Sequence, residues 1–189
     1  HDQRALSSIT HPLLETTLNN HTIPTGSLST YHTNIRSLRA NYDTLKNRIA
    51  HYRHKPDIIG LSDTYLQADT DQSVYPISPY NHHHRQDVSI YINNNLHYTI
   101  CDDIHNPDIA MIIINIHKND RKDKPIHTII NCYRRPHHHP DLIANLQTTI
   151  DQIHEKYPST STTIQGDLNL DLFTPTQTLI NFLTEHNLH

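Results

Sequence analysis

The 189-residue chain has no tryptophan, one methionine, two cysteines and only three glycines. Each shortage excludes something. Cys101 and Cys132 are too few for a disulfide framework or a cysteine-ligated zinc site, and they suit a reducing compartment. No apolar run approaches the ~18 residues that span a bilayer, so no membrane partner is expected. An excess of positive charge is missing too. The formal net charge of −4 excludes a chain that coats nucleic acid non-specifically, but it leaves room for one that grips DNA over a local face. Apolar residues reach only 34%, under the roughly 45–50% usual for globular chains. Even so, Ile, Leu, Val and Phe make up 46 of the 189 residues, about 24%, above the ~20% level that marks disorder. A core is available, built mostly from isoleucine and leucine.

Histidine is abundant, with 19 copies, alongside Asn, Thr, Ile, Asp and Pro. The scarce residues mostly have G-rich codons, so the skew reads as a property of the coding strand. Histidine count alone therefore says little about function. The run His-His-His occurs twice, at 82–84 and at 137–139. Adjacent histidines cannot all face one ion from a regular element, although a loop presenting two of them suits Zn²⁺, Cu²⁺ or Ni²⁺. A histidine-rich metal or nucleic-acid binding module thus stands as one alternative.

Residues 1–27 lack sustained periodicity and read as a leader or linker. The opening His1, where Met is usual, reads as the start of an excerpt from a longer protein. From 28 to 189 the pattern is that of one domain. "LSTYHTN" predicts a strand with Asn34 at its end. Leu38, Tyr42, Leu45, Ile49 and Tyr52 recur in steps of four and three, one stripe of a helix that Pro56 stops. Asp57–Leu61 is a short apolar strand delivering Asp63. "DVSIYI" alternates, and "LHYTIC" is its expected hairpin partner across the turn-prone "NNN". "IAMIIINI" and "IHTIINCYRRP" are further strands, the second delivering Tyr133. Pro140 and Asp141 open a helix with Leu142, Leu146, Ile150, Ile153 and Tyr157 on one face. "STTIQGDLN" is the strand after it, and "TQTLINFLTEHNL" begins another helix. The order predicts an α+β fold, a four-layer α/β/β/α sandwich.

Asn34, Asp63, Tyr133, and Asp167 with Asn169 fall at C-terminal strand ends, where layered α/β folds gather ligands. Their carboxylate and amide oxygens suit a hard cation such as Mg²⁺, or Mn²⁺, which keeps several waters. Each alone is more often a turn or a helix cap. Together, "HTNIRSL", "PDIIGLSDTYL", "NCYRRP" and "IQGDLNLDL", in this order, resemble the endonuclease/exonuclease/phosphatase family. They look most like the apurinic-type endonuclease domain of non-LTR (LINE-type) retrotransposons. The resemblance covers about 28 to 189, though the sandwich is C-terminally incomplete.

The resemblance implies roles. Asn34 lies in the metal and phosphate shell, and Asp63 is the Mg²⁺ ligand. Tyr133 hydrogen-bonds the scissile phosphate. Asp167 orients or activates the attacking water, and Asn169 holds the phosphate in the transition state. Arg134 is structural or near DNA, while Ser37 and Asp171 match further motif letters. Three departures accompany this. Asp63 stands where the family has glutamate, drawing the ligand back by about 1.5 Å. The Gly-Gly-Val run expected before "IYI" is absent, so a surface loop is expected there. The family's closing Asp–His pair does not occur before His189, so the chain taken alone is expected to be inactive or nearly so.

The function implied is that of a Mg²⁺-dependent endonuclease domain of a retrotransposon polyprotein. It would nick double-stranded DNA to leave a 3′-hydroxyl that primes the reverse transcriptase domain of the same polyprotein, acting inside the cell and in the nucleus. Alternatives are a truncated, inactive remnant, a phosphatase or phosphodiesterase of the same fold, and the histidine-rich module.

Overall fold

The computed structural model describes residues 28–118, 124–136, 142–158, 160–170 and 176–185. The expected leader at 1–27, the histidines 137–139, Pro140, Asp141 and Asp171 lie outside them. The chain divides into two compact units, His1–Leu96 and His97–His189.

In the first unit, strand β1 (Thr30–Asn34) leads into helix α1 (Leu38–His51), and β2 (Ile58–Ser62) returns parallel to β1. The start of this unit is pinned by Asp57, whose carboxylate accepts the Ser29 backbone N–H at 2.8 Å and its hydroxyl at 2.7 Å. Strands β3 (Tyr80–Arg85) and β4 (Val88–Asn93) complete a mixed sheet in the order β1-β2-β4-β3. The stripe Leu38, Leu45 and Ile49 packs with Ile59, Leu61, Tyr80 and Tyr91 into one core cluster. Burying each such side chain contributes about 1.5–3 kcal/mol.

Two expectations are corrected here. The hairpin partner of β4 is β3, which precedes it across Gln86 and Asp87. The segment expected as its partner instead becomes β5 (His97–Ile100) of the other sheet. The reason lies in the turns. Gln86 adopts a left-handed φ of 51°, closing a two-residue hairpin with Arg85 opposite Val88. The second correction follows from the first: histidines 82–84, read as loop, are strand. β4 also lacks a polar face, because Ser89 and Tyr91 are buried with Val88, Ile90 and Ile92. A strand buried on both sides loses its alternation.

In the second unit, β5, β6 (Ala110–His117), β7 (Pro125–Tyr133) and β8 (Ser161–Asp167) form a second mixed sheet in that order. Helix α2 (Leu142–Lys156) connects β7 to the parallel β8, and α3 (Gln177–Glu185) follows. Leu142, Leu146, Ile150 and Ile153 of α2 pack with Leu179 and Phe182 of α3 and with Ile113, Ile130 and Cys132 of the sheet. The α+β class with two mixed sheets and accompanying helices is therefore present. Among the described residues no helix is long and apolar enough to cross a membrane.

Candidate active site

Each unit contains one parallel strand pair joined by a helix, and the candidate residues sit at the C-terminal ends of those pairs. In the first unit Asn34 is opposite Ser62 in the register, so Asp63 follows directly beside the end of β1. Asn34 Oδ1 accepts the Arg36 backbone N–H at 3.2 Å. Asp63 is 7% exposed and takes a left-handed φ of 59°. Its backbone carbonyl accepts the Ser37 N–H at 2.8 Å, and the Thr64 carbonyl accepts that of Leu38 at 2.9 Å. Ser37 also caps α1, its hydroxyl accepting the Ala40 N–H at 3.3 Å. A structural duty is thus assigned to Ser37.

Asn41 was not singled out by the motifs, and it holds this corner together. Its amide nitrogen donates to the carbonyls of Ile35 at 2.9 Å, Arg36 at 3.0 Å and Ser37 at 3.3 Å. The available signal is an asparagine inside a predicted helix, a residue that prefers to bond nearby backbone.

In the second unit Tyr133, the last residue of β7, is opposite Asp167, the last residue of β8. Gly166 is required there. Its φ is +153°, and a Cβ would stand 1.9 Å from the Cys132 carbonyl oxygen. The segment after Asp167 is held by Arg134. The Arg134 N–H donates to the Asp167 carbonyl at 3.0 Å. Its side-chain Nε donates to the Leu168 carbonyl at 2.9 Å, and Nη2 to the Asn169 carbonyl at 3.0 Å. Asn169, with a left-handed φ of 50°, returns a bond from Nδ2 to the Arg134 carbonyl at 2.6 Å. Asp167 Oδ1 accepts the Asn169 N–H at 3.1 Å. Leu168 and Leu170 pack against the core, so the alternation in "GDLNLDL" anchors the loop through its leucines. Arg134 is structural in this arrangement.

Burial pushes the Cys132 thiol up to about 12, and the Asp167 carboxylate adds to the effect. This thiol stays protonated and inert.

All non-glycine residues with positive φ among those described are Arg36, Ser37, Asp63, Tyr65, Gln86 and Asn169. The first five gather at one end of the first sheet, since Thr64 bonds the Gln86–Asp87 turn, and the sixth follows β8. Such backbone costs about 1–3 kcal/mol per residue and collects at functional sites.

The metal expectation meets a mixed donor inventory. Among the described residues no group of three or more His, Cys, Asp or Glu side chains gathers for an ion. Asn34 and Asp63 offer one amide oxygen and one buried carboxylate on neighbouring strand ends. That set fits Mg²⁺, which binds through one or two carboxylates and keeps its waters.

No protein-family model matches the chain, and no curated protein matches it. Solved structures do. The endonuclease domain of TRAS1, a telomere-specific non-LTR retrotransposon, superposes with a TM-score of 0.54 at 15% identity, covering 86% of this chain and 73% of that one. The 3′ phosphatase NExo from Neisseria, bound to a product DNA hairpin, gives a TM-score of 0.49 at 14% identity, over 76% of this chain and 58% of that one. At 15% identity the first likeness establishes a shared fold.

Proposed function

We propose that the chain is a Mg²⁺-dependent DNA endonuclease domain of the non-LTR retrotransposon type. The observation that carries this reading is the left-handed, non-glycine backbone beside the strand ends bearing Asn34 and Asp63 in the first unit, and at Asn169 after β8 in the second. The fold shared with a retrotransposon endonuclease domain supports it.

Asn34 and Asp63 would hold the ion. When bound, Mg²⁺ supplies Lewis-acid polarisation of a phosphoryl oxygen. The Asp167 carboxylate accepts a proton from the attacking water, whose oxygen bonds to phosphorus as the P–O3′ bond breaks and solvent water protonates the departing O3′. The products are a 5′-phosphate and a 3′-hydroxyl, the second able to prime a reverse transcriptase domain of the same polyprotein. Tyr133 donates its hydroxyl proton to a phosphate oxygen. Asn169 spends one N–H on Arg134 and directs the other to the phosphate as charge develops. Action on chromosomal DNA places the domain in the nucleus.

The test is nicking of supercoiled plasmid. The expected result is slow conversion to relaxed circles with Mg²⁺ and none with EDTA, their ends extended by a DNA polymerase without end repair. Circles that a polymerase extends only after phosphatase treatment would overturn the stated bond cleavage, and absence of nicking would overturn the activity.

A further inference from the structure

Successive side chains on a strand point to opposite faces, so the β3 triplet divides. His82 and His84 share one face and His83 takes the other. His82 lies across from Tyr91 in the antiparallel register. Their ring centroids are 4.5 Å apart with planes at 15°, and His84 stacks on His82 at 5.9 Å and 30°. His82 is 7% exposed.

Each of these rings has one nitrogen bound by a backbone carbonyl from the segment running past the strand. His82 Nδ1 is 3.0 Å from the Gln72 carbonyl, and His84 Nε2 is 2.7 Å from that of Thr70. A carbonyl only accepts, so these nitrogens carry the protons. The opposite nitrogens, His82 Nε2 and His84 Nδ1, are then bare lone pairs. Both are buried, and no protein group donates to either. Burial, with the two neighbouring histidines adding to it, lowers the His82 pKa to about 4 against the opposing pull of the Gln72 carbonyl. Neutral imidazoles tied back through one N–H, with the other nitrogen bare, are how proteins orient histidines toward metals.

We propose that His82 and His84 form a two-histidine site for a borderline transition-metal cation of the Zn²⁺, Cu²⁺ or Ni²⁺ class. The site is chemically separate from the oxygen donors at Asn34 and Asp63, since imidazole suits these ions and not Mg²⁺. Its cover is thin. Residues 67–69 and 71–74 are exposed, so the covering segment is one layer of surface chain. Asp71 lies in that cover, its carboxyl held below the usual range by hydrogen bonds from Ser73, and so presents negative charge to an entering cation. With two protein ligands, water completes the coordination.

The experiment is calorimetric titration of the metal-stripped full chain with Zn²⁺, after replacing His137, His138 and His139 by alanine to silence the other triplet. One equivalent is expected to bind. His84→Gln is expected to weaken it about tenfold or more, while His83→Gln leaves it within about twofold. His82→Gln should match His84→Gln provided its circular dichroism is that of the parent; if it unfolds, His84→Gln decides. The proposal is overturned if the parent gives no one-to-one binding, if His84→Gln binds as the parent does, or if His83→Gln loses as much affinity.

Discussion

Both units end a parallel strand pair with a candidate carboxylate, Asp63 in the first and Asp167 in the second, yet the chain around each is held differently. In the first, a neutral amide, Asn41, gathers carbonyls from residues only four to six positions away. Strained backbone from Arg36 to Gln86 does the rest. In the second, a charged guanidinium, Arg134, reaches carbonyls 34 and 35 positions away, and one glycine lets β8 approach β7. The side-chain ties of the first corner stay within one short contiguous segment, whereas those of the second depend on β7 and β8 meeting. The second should therefore be the more fragile.

The largest effect tests the glycine. Gly166→Ala forces a Cβ into the Cys132 carbonyl and is expected to cost roughly 3 kcal/mol or more in urea unfolding. Next come the two side chains that hold the loops. Arg134→Ala removes charge-assisted bonds and should cost about 2–3 kcal/mol, against about 1–2 kcal/mol for Asn41→Ala. Arg134→Lys should not rescue, because an ammonium lacks the fork that meets two carbonyls. A greater loss for Asn41→Ala than for Arg134→Ala breaks the comparison.

Acid sharpens it further. His82 has its folded pKa depressed to about 4, below the unfolded value of ~6.5. The unfolded chain binds the extra proton between those values. Stability is therefore complete above pH ~6.5 and falls toward pH 4, by about 3 kcal/mol. In the second unit burial lowers the His127 pKa as well, with the same sign. Denaturant midpoints measured with a chelator present should flatten more for His82→Gln than for His127→Gln. The smallest effect belongs to the exposed Lys156–Asp103 pair. Asp103→Asn should leave the midpoint unchanged within error.

The same contrast explains what could be read in advance. Helical stripes such as Leu38–Leu45–Ile49 and apolar strands such as β6 carry their own period, so they were visible. Asp63 and Tyr133 fall at predicted strand ends because each closes an apolar run, whereas Asn34 and Asp167 close the more polar stretches "LSTYHT" and "STTIQG". The β3–β4 hairpin was missed, since Tyr80–Arg85 is mostly histidine and its turn depends on Gln86 adopting a left-handed conformation that its type does not announce. Asn41 and Arg134 were legible only as a helix polar residue and a motif letter. Their partners are backbone carbonyls, which leave no mark in a sequence.

The central claim is that the chain cleaves DNA phosphodiesters, with Asp63 and Asp167 each assigned a part in that activity. The most direct measurement is the single-turnover nicking rate with Mg²⁺ for Asp63→Asn and Asp167→Asn against the parent, each checked for native unfolding midpoints. Each single change is predicted to slow nicking by about 10²–10⁴-fold. A single variant that nicks at the parent's rate would contradict the account.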